Sequence, residues 1–428
     1  MKKLVNLEEE IERYFVVKDK NMLRVLLATL IGNIFDMNPL WTIFVAPSSG
    51  GKSAIITLAN KIPTVKPLDD LTEKTFLSGY KIKGKEFSLL KAIGNGILLF
   101  SDFTTIITKN STSKAEILTQ LRMIYDGVFK KMTGTGEISW NGKMGLIAGC
   151  TPVIYDELES AKAMGERFSY YEMIMPTPKE VFDKQLLNNR SDKSINEELS
   201  NSVSQYFTDI LEWLGKNKVP ELQLNQEQKD RIWEAASICV RGKATISRDF
   251  KSQKINKLPN ISGPGRDNKM YLGYLYTLHV LRCYEANDTT LPLNDLDIDI
   301  IEKIAYSSLS RERRKVLEIL AENEGYYLKS SDIGAKQGFG LEGDMVNPFL
   351  HAMHAVGLVD KVSGNPHKWG ISKPNVRQFI NNVSKRMNKN ESLANVEEVD
   401  DEEEEVFNEF NFNNIEDNIQ EENYDNLF

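Results

Sequence analysis

A lysine and a serine close a short loop of small residues, and both side chains suit the binding of a polyphosphate. The segment between the apolar run 41–45 and Lys52-Ser53 consists of Ala46, Pro47, Ser48, Ser49, Gly50 and Gly51. In such a loop, backbone N–H groups surround phosphate oxygens, the lysine reaches the β and γ phosphates, and the serine hydroxyl meets Mg²⁺. We therefore predict that residues 46–53, the phosphate loop, bind ATP and Mg²⁺. A Gly/Ser-rich surface turn is the alternative.

The phosphate loop departs at one position from the usual G-x-x-x-x-G-K-[ST] pattern. Ala46 stands where the first glycine is expected, and alanine still leaves room for the backbone to turn. The apolar stretch that follows, AIITLANKI, predicts a helix behind the loop.

An acidic residue, Asp102, lies just beyond the apolar run 97–100. Ligands of open α/β sheets bind at the carboxyl ends of the strands. When a phosphate loop precedes it, an acid at such an end holds Mg²⁺ through water. We predict that Ser53 and Asp102 are the magnesium-binding pair. Taken without the loop, Asp102 would be an ordinary turn residue.

Strands alternate with helices from residue 41 to 176, which predicts a mostly parallel, three-layer α/β domain. A helix is expected from about Lys114 to Tyr125. The segment DGVFKKMTGTGEISWNGK after it has Gly-Thr-Gly between two alternating arms and predicts a β-hairpin. A strand ending at Thr151, the segment GERF and the strand SYYEMIMP follow.

Periodicity and composition divide the chain into five parts. We predict an N-terminal helical segment (1–40), the α/β core (41–190), an α-helical lid (191–295), a winged helix-turn-helix (296–376) and a disordered acidic tail (377–428). In the winged unit, Asn347 and Pro348 fit the N-cap and first residue of the expected recognition helix.

The expected recognition helix contains no Lys or Arg, although phosphate contacts usually need them. Basic residues nearby leave backbone contacts open: Lys361, Lys368, Arg311, Arg313 and Arg314. DNA binding and protein docking are therefore both retained for this unit. His351 and His354 are expected to be helix surface and not a metal pair, because no third ligand lies at a suitable spacing.

The charge of the chain is unevenly distributed. The net charge is -8, yet residues 391–428 contain 15 acidic and no basic residues, which leaves 53 basic and 46 acidic residues, a net charge of +7, in the rest. The acidic tail is interpreted as a solubilising segment, as a DNA mimic, or as a peptide that docks through Phe428 with a replication-protein partner.

Three widely spaced cysteines (Cys150, Cys239, Cys283) fit a reducing compartment and exclude a disulfide framework or a zinc ribbon. The N-terminus turns acidic too soon for a secretory signal, and the longest apolar run is too short to span a bilayer. We expect no membrane association and a cytoplasmic location, in a bacterial host if a phage or mobile element encodes the protein.

The order of these parts resembles that of AAA+ ATPases. The parts are APSSGGKS, a strand ending in Asp102, a hairpin before a strand ending in Thr151, GERF, a helical region with GPGR, and a terminal winged helix. The arrangement is most similar to the branch with a pre-sensor hairpin, which includes minichromosome maintenance helicases and ATPases of phages and mobile elements. The resemblance covers about residues 30–374 and is specific only at the phosphate loop.

The resemblance implies a role for several residues. Lys52 and Ser53 would bind phosphate and Mg²⁺, Asp102 would be the Walker B acid, and Thr151 would orient the attacking water. Arg167 would complete a neighbouring subunit's site, or else form a structural ion pair. Arg266 would sense the γ phosphate. The hairpin lysines would grip DNA, single-stranded or duplex, in the channel of a hexameric ring: Lys130, Lys131 and Lys143.

One position departs from the family pattern. Phe103 follows Asp102 where these families place a glutamate that polarises water. A base from elsewhere (Glu116 or Asp126), orientation by Thr104 and Thr151, or slow hydrolysis would account for this. The leading hypothesis is a ring-forming, ATP-dependent DNA helicase or translocase of phage or mobile-element replication. The alternative is an ATP-gated switch, such as a helicase loader or a DNA-bound regulator.

Overall fold

The computed structural model describes residues 3–48, 51–72, 74–77, 81–82, 85–86, 88–133, 136–157, 167–188, 190–219, 221–244, 246–249, 255–336 and 343–395. The helices are α1 (Leu4–Glu12), α2 (Lys20–Gly32), α3 (Lys52–Ile56), α4 (Leu89–Ile93), α5 (Thr104–Ile107), α6 (Ser111–Tyr125), α7 (Val153–Glu157), α8 (Pro178–Leu186), α9 (Asp192–Leu214), α10 (Gln226–Lys243), α11 (Gly265–Ala286), α12 (Asp295–Ser307), α13 (Arg311–Glu322), α14 (Ser330–Gly334), α15 (Gly343–Ala355) and α16 (Pro374–Asn395). The strands are β1 (Trp41–Val45), β2 (Val65–Leu68), β3 (Lys81–Ile82), β4 (Lys85–Glu86), β5 (Gly96–Phe100), β6 (Val128–Thr133), β7 (Gly136–Asn141), β8 (Met144–Cys150), β9 (Ser169–Glu172), β10 (Leu328–Lys329), β11 (Asp360–Val362) and β12 (Lys368–Gly370).

Five strands form a parallel sheet in the order β2-β5-β8-β1-β9. The strands β1, β5 and β8 are buried along their whole length, which explains why their sequences are continuous apolar runs. Alternate residues of β1 belong to two different apolar cores: Phe44 faces one, and Ile43 and Val45 face the other. Helices α2 and α6 pack against β8, and the α/β class predicted from the sequence is confirmed.

The predicted hairpin is present as β6 and β7, which pair from Val128↔Asn141 to Thr133↔Gly136. Phe129, Ile138 and Trp140 bury one face of the hairpin in the core beside α6. The other face of β6 stays exposed. The hairpin is therefore held by apolar packing on one side only.

The three helices α9, α10 and α11 appear where helical spacing predicts them. They pack directly on the sheet layer: α11 contacts α2, and α9 contacts the 3₁₀ helix Thr57–Lys61 that continues α3. The Tyr274 hydroxyl lies 2.5 Å from the Thr42 hydroxyl on β1. The helical region thus covers one face of the sheet.

The C-terminal part contains helices α12 to α15 and a three-stranded antiparallel sheet in the order β10-β12-β11. Helix α15 begins at Gly343, so Pro348 lies inside it. The prediction that Asn347 and Pro348 start this helix is therefore wrong. The reason is packing: Val346 and Leu350, one turn apart, are both fully buried, so the apolar face begins before the proline.

Helix α16 continues to Asn395, beyond residue 377 where the sequence analysis placed the start of a disordered tail. Val376, Phe379, Ile380 and Val383 recur at helical spacing and are buried, and α16 packs against α13. The predicted tail therefore begins with an ordered helix. Its remainder, residues 396–428, lies outside the described residues.

The N-terminal segment is joined to both the sheet and the C-terminal part by one buried carboxylate. Asp19 accepts a hydrogen bond from the Tyr171 hydroxyl on β9 at 2.8 Å and from Lys303 Nζ on α12 at 2.5 Å. Asp19 and Lys303 are 5% and 7% exposed.

Among the helices of the described residues, none combines the length and the apolar composition that crossing a bilayer demands.

Candidate functional site

The phosphate loop leaves the carboxyl end of β1, in the middle of the sheet. The backbone N–H of Ala46 donates to the carbonyl of Cys150 at 3.1 Å, so the loop still follows β8 at its first residue. Gly51 has φ +70°, a left-handed conformation that favours glycine. Ser49 and Gly50 lie outside the described residues. The helix predicted behind the loop is one α-helical turn, α3, continued by the 3₁₀ helix.

Lys52 is folded against its own loop. Its Nζ donates to the carbonyl of Pro47 at 3.4 Å, and the residue is only 6% exposed. A Cβ atom on Gly149 of β8 would lie 2.7 Å from the Ser101 carbonyl oxygen and 3.6 Å from Lys52 Cδ. Gly149 is therefore a site residue that the sequence analysis missed, because its role is to leave space.

Ser53 faces the end of β5. Its Oγ donates to the carbonyl of Ser101 at 3.0 Å. Asp102, the next residue, is exposed, and its Oδ1 accepts from the backbone N–H of Thr104 at 2.9 Å. Ser53 and Asp102, the predicted magnesium pair, thus lie at the same edge of the sheet.

Two threonine hydroxyls connect the ends of β5 and β8. Thr104 Oγ1 lies 3.3 Å from Thr151 Oγ1 and accepts from the Thr151 N–H at 3.1 Å. Because β8 lies between β1 and β5, Thr151 is placed between the phosphate loop and Asp102. Next to it, burial raises the pKa of the Cys150 thiol to about 11, so this cysteine stays protonated and unreactive.

Phe103 does not face this edge. It is fully buried and packs its ring against Phe100 and Phe168, at centroid distances of 5.5 and 5.9 Å. The side chain of residue 103 therefore points into the core, and the side chain of the neighbouring residue 102 is the exposed one.

Arg167 and Arg266 lie at the opposite, amino-terminal edge of the sheet. Arg167 precedes β9 and donates to both carboxylate oxygens of Asp126. Both arginine charges act on Tyr125, whose ring packs on Trp41 at the start of β1. Burial outweighs them and raises the pKa of Tyr125 to about 12. Neither arginine, nor Asp126, is brought close to Lys52 of the same chain.

The three hairpin lysines have different surroundings. Lys130 is exposed, on the same face of β6 as Val128 and Met132, which are 50% and 74% exposed. Lys131 is half-buried on the other face. Lys143 Nζ donates to the carbonyls of Gly32 and Phe35 at 2.7 and 2.6 Å. Burial lowers the pKa of Lys143 to about 8, so its position favours an internal role over a DNA contact.

A buried ion-pair junction, also missed from the sequence, lies beside the phosphate loop. Glu172 is the last residue of β9 and pairs with Val45. Its Oε1 accepts from Arg311 Nε and Nη2 at 3.0 and 2.8 Å, and its Oε2 from Arg314 and from the Tyr155 hydroxyl. Tyr155 lies on α7, the helix that begins directly after Thr151 and Pro152. The junction thus joins the site edge to α13.

Within the described part of the chain, no three or more His, Cys, Asp or Glu side chains are grouped to hold a metal. His351 and His354 pack edge-on against Trp369, at 4.9 and 6.1 Å between centroids, as expected for helix surface and not for a metal pair. Ser53 and Asp102, the two residues predicted from the sequence to meet Mg²⁺, both offer side-chain oxygens at this edge of the sheet.

The parallel five-stranded sheet with helices around it is an α/β fold compatible with a P-loop nucleotide-binding core. Comparison of the sequence with known protein families and with curated proteins gives no match.

Proposed function

We propose that this protein is a Mg-ATP-dependent ATPase of the AAA+ type that assembles into a ring and acts on DNA, as a helicase or translocase of phage or mobile-element replication. The observation that carries the proposal is the carboxyl edge of the sheet. The loop and strand ends of three adjacent strands carry Lys52 and Ser53, Asp102, and Thr151 at that one edge, and these are side chains of the kinds that phosphoryl transfer uses.

Each of these residues has a separate task. Lys52 and the loop N–H groups bind the phosphates, and they neutralise charge as the γ phosphoryl group leaves. Ser53 is the oxygen that would meet Mg²⁺, which supplies charge stabilisation at the phosphates when bound. Thr151, fixed by Thr104, orients the water. To bind the phosphates, Lys52 must leave the carbonyl of Pro47. The hydrogen bond between them is long, at 3.4 Å.

The positions of Arg167 and Arg266 support a shared site. Both lie at the edge opposite Lys52, so they reach a nucleotide only if a second copy presents its carboxyl edge to them. Arg266 is exposed there, whereas Arg167 is 2% exposed and must first leave the carboxylate of Asp126. A ring of copies packed edge to edge supplies that arrangement. An arginine donated in this way stabilises the charge of the transition state.

The C-terminal part supports an attachment to DNA. Helices α13, α14 and α15 and the sheet β10-β12-β11 follow the order of a winged helix-turn-helix. Lys361 stands over the Trp369 ring at 5.4 Å, and Lys368 is exposed on the neighbouring strand. These wing lysines offer basic groups for phosphate contacts, whereas α15 contains no Lys or Arg.

The second candidate is an ATP-gated switch, such as a helicase loader or a DNA-bound regulator. It is favoured by Phe103, a buried apolar residue that stands after Asp102, at the position where a water-polarising residue is usual. A slow turnover would let the bound nucleotide control assembly.

The test is ATP hydrolysis with and without single-stranded DNA, paired with light scattering to measure the size of the particle in nucleotide. We expect DNA-stimulated hydrolysis by a ring, abolished by Lys52→Ala because the phosphates lose their main cation. Nucleotide-dependent assembly without DNA stimulation would favour the switch. An unchanged rate in Lys52→Ala, or a monomer that ignores nucleotide and DNA, would overturn the proposal.

A further inference from the structure

Two residues at the end of β5, Ser101 and Asp102, have different surroundings. The two tasks that matter there are magnesium binding and acceptance of a proton from water. The residue beside the phosphate-loop serine is Ser101, whose carbonyl accepts from Ser53 Oγ at 3.0 Å. Ser101 carries a hydroxyl and no carboxylate. The residue whose backbone carbonyl is bonded to the Ser53 hydroxyl therefore has a neutral side chain.

The acid follows one residue later and is bonded to a different group. Asp102 Oδ1 accepts from the Thr104 N–H at 2.9 Å, and Thr104 Oγ1 in turn contacts Thr151. The carboxylate thus belongs to the same short network as the two threonine hydroxyls between β5 and β8. Because Asp102 is exposed, its carboxylate is accessible to water.

We propose that Asp102 is the base that accepts a proton from the attacking water, and that Mg²⁺ relies on Ser53 and the nucleotide phosphates without a protein carboxylate. This inference rests on the proposed ATPase function. Magnesium usually keeps several waters and uses one or two carboxylates together with substrate phosphates, so a site with none binds it more weakly. The same assignment accounts for the burial of Phe103, since no second acid is needed after Asp102.

The reaction balances with this one acid. The water oxygen forms a bond to the γ phosphorus, and the bond from that phosphorus to the β,γ-bridging oxygen breaks. The electron pair of the broken bond leaves on ADP, and the water proton passes to the carboxylate of Asp102. Nothing is oxidised or reduced. The Thr104 and Thr151 hydroxyls hold the water, while Asp102 takes its proton.

The deciding variant is Asp102→Asn, which keeps the shape and removes the base. We expect kcat to fall by about 100-fold or more, the usual size of a general-base effect. The affinity for a fluorescent ATP analogue, measured with Mg²⁺ and with EDTA, should stay within about twofold in both conditions, because the phosphate contacts are unchanged. Asp183→Asn, the same chemical change at an exposed position of α8, is the matched control and should keep full activity.

Ser101→Asp tests the other half of the inference. A carboxylate beside Ser53 should lower the Mg²⁺ concentration for half-maximal ATP binding several-fold. The inference is overturned if Asp102→Asn weakens binding only in Mg²⁺ and raises the half-saturating Mg²⁺, because Asp102 would then hold the metal. If the unaltered protein or Lys52→Ala fails the hydrolysis test above, the proposed function itself has failed, which is a separate outcome.

Discussion

Arg167 donates from Nη2 to both carboxylate oxygens of Asp126, at 3.0 and 2.8 Å, and Asp126 is the residue two positions before the hairpin strand β6. The arginine side chain is 3% exposed and the aspartate 52%. The contact therefore fixes the start of β9 to the base of the hairpin. It also gives the structural ion-pair interpretation of Arg167 a concrete partner.

The two interpretations of Arg167 predict different outcomes for its partner. If Arg167 completes a neighbouring site, Arg167→Ala should reduce hydrolysis by about 1,000-fold, whereas Asp126→Asn should keep most of it. Mixing Arg167→Ala with Lys52→Ala should restore activity, because some interfaces then combine an intact phosphate loop with an intact arginine. Hydrolysis rates of the single and mixed proteins are the measurement. Equal losses in both single variants, with no restoration on mixing, would leave only the ion pair.

Lys130 should carry most of any DNA contact made by the hairpin. It is exposed beside Val128 and Met132, whereas Lys131 is half-buried on the docked face. Lys130→Ala should reduce DNA-stimulated hydrolysis several-fold and lower the salt slope of DNA binding by about one, as expected for one lost phosphate contact. Basal hydrolysis should not change. Lys66→Ala, an exposed lysine on β2, is the control, and an equal effect there would point to general charge.

The two arginines at Glu172 should differ in their contribution to stability. Arg314 is buried between the Tyr155 and Tyr306 rings, so Arg314→Ala should lower the free energy of unfolding by about 3–5 kcal/mol. Arg311 is 44% exposed, and Arg311→Ala should cost about 1 kcal/mol or less. Denaturant unfolding measures both, and equal losses would contradict the assignment.

The charge state of Glu172 makes the stability lost in Arg314→Ala depend on pH. Burial alone raises the pKa of Glu172, but Arg314 and Arg311 outweigh it and hold the pKa below its usual range. The stabilisation from Glu172 is therefore present above the unfolded-state pKa and is lost as the pH falls through the lowered one. The cost of Arg314→Ala should shrink under acid conditions.

Asp297 should show the opposite dependence. Burial raises the pKa of Asp297 to about 6, although Arg282 lies 2.6 Å away and pulls in the other direction. Between the unfolded-state value near 4 and pH 6, only the unfolded chain is ionised, so stability falls as the pH rises, by up to about 3 kcal/mol. The stability difference between the unaltered protein and Asp297→Asn should change from pH 4 to 6 and be constant from 7 to 8. A constant difference throughout would contradict the raised pKa.

The parts of the site that the sequence predicted are those encoded within one short segment. Asp102 follows an apolar strand closely, and Lys52 ends the short loop that leaves another, so the strand pattern alone puts them at one edge of a parallel sheet. The extent of α16 was misjudged because the tail boundary was placed ahead of the acidic run, which begins only at Glu397. The start of α15 was misjudged because a proline outweighed the spacing of its buried residues.

The remaining features depend on contacts between distant segments. Gly149 matters for the space it leaves beside Ser101, which no local pattern reveals. Glu172 and Arg314 are 142 residues apart, and either one alone looks like an ordinary surface charge. The burial of Arg167 follows in the same way from the packing of the hairpin base against β9, and not from the GERF segment itself.

The contact between Asp19 and Lys303 joins residues 284 positions apart. At the usual pace of about 5–20 residues per second, the ribosome completes Lys303 roughly 15–60 seconds after Asp19. Throughout that interval the N-terminal segment lacks the cation that neutralises its buried carboxylate. The first helices to be synthesised thus complete their packing among the last, and the nascent chain depends on its C-terminal third to finish its N-terminal one.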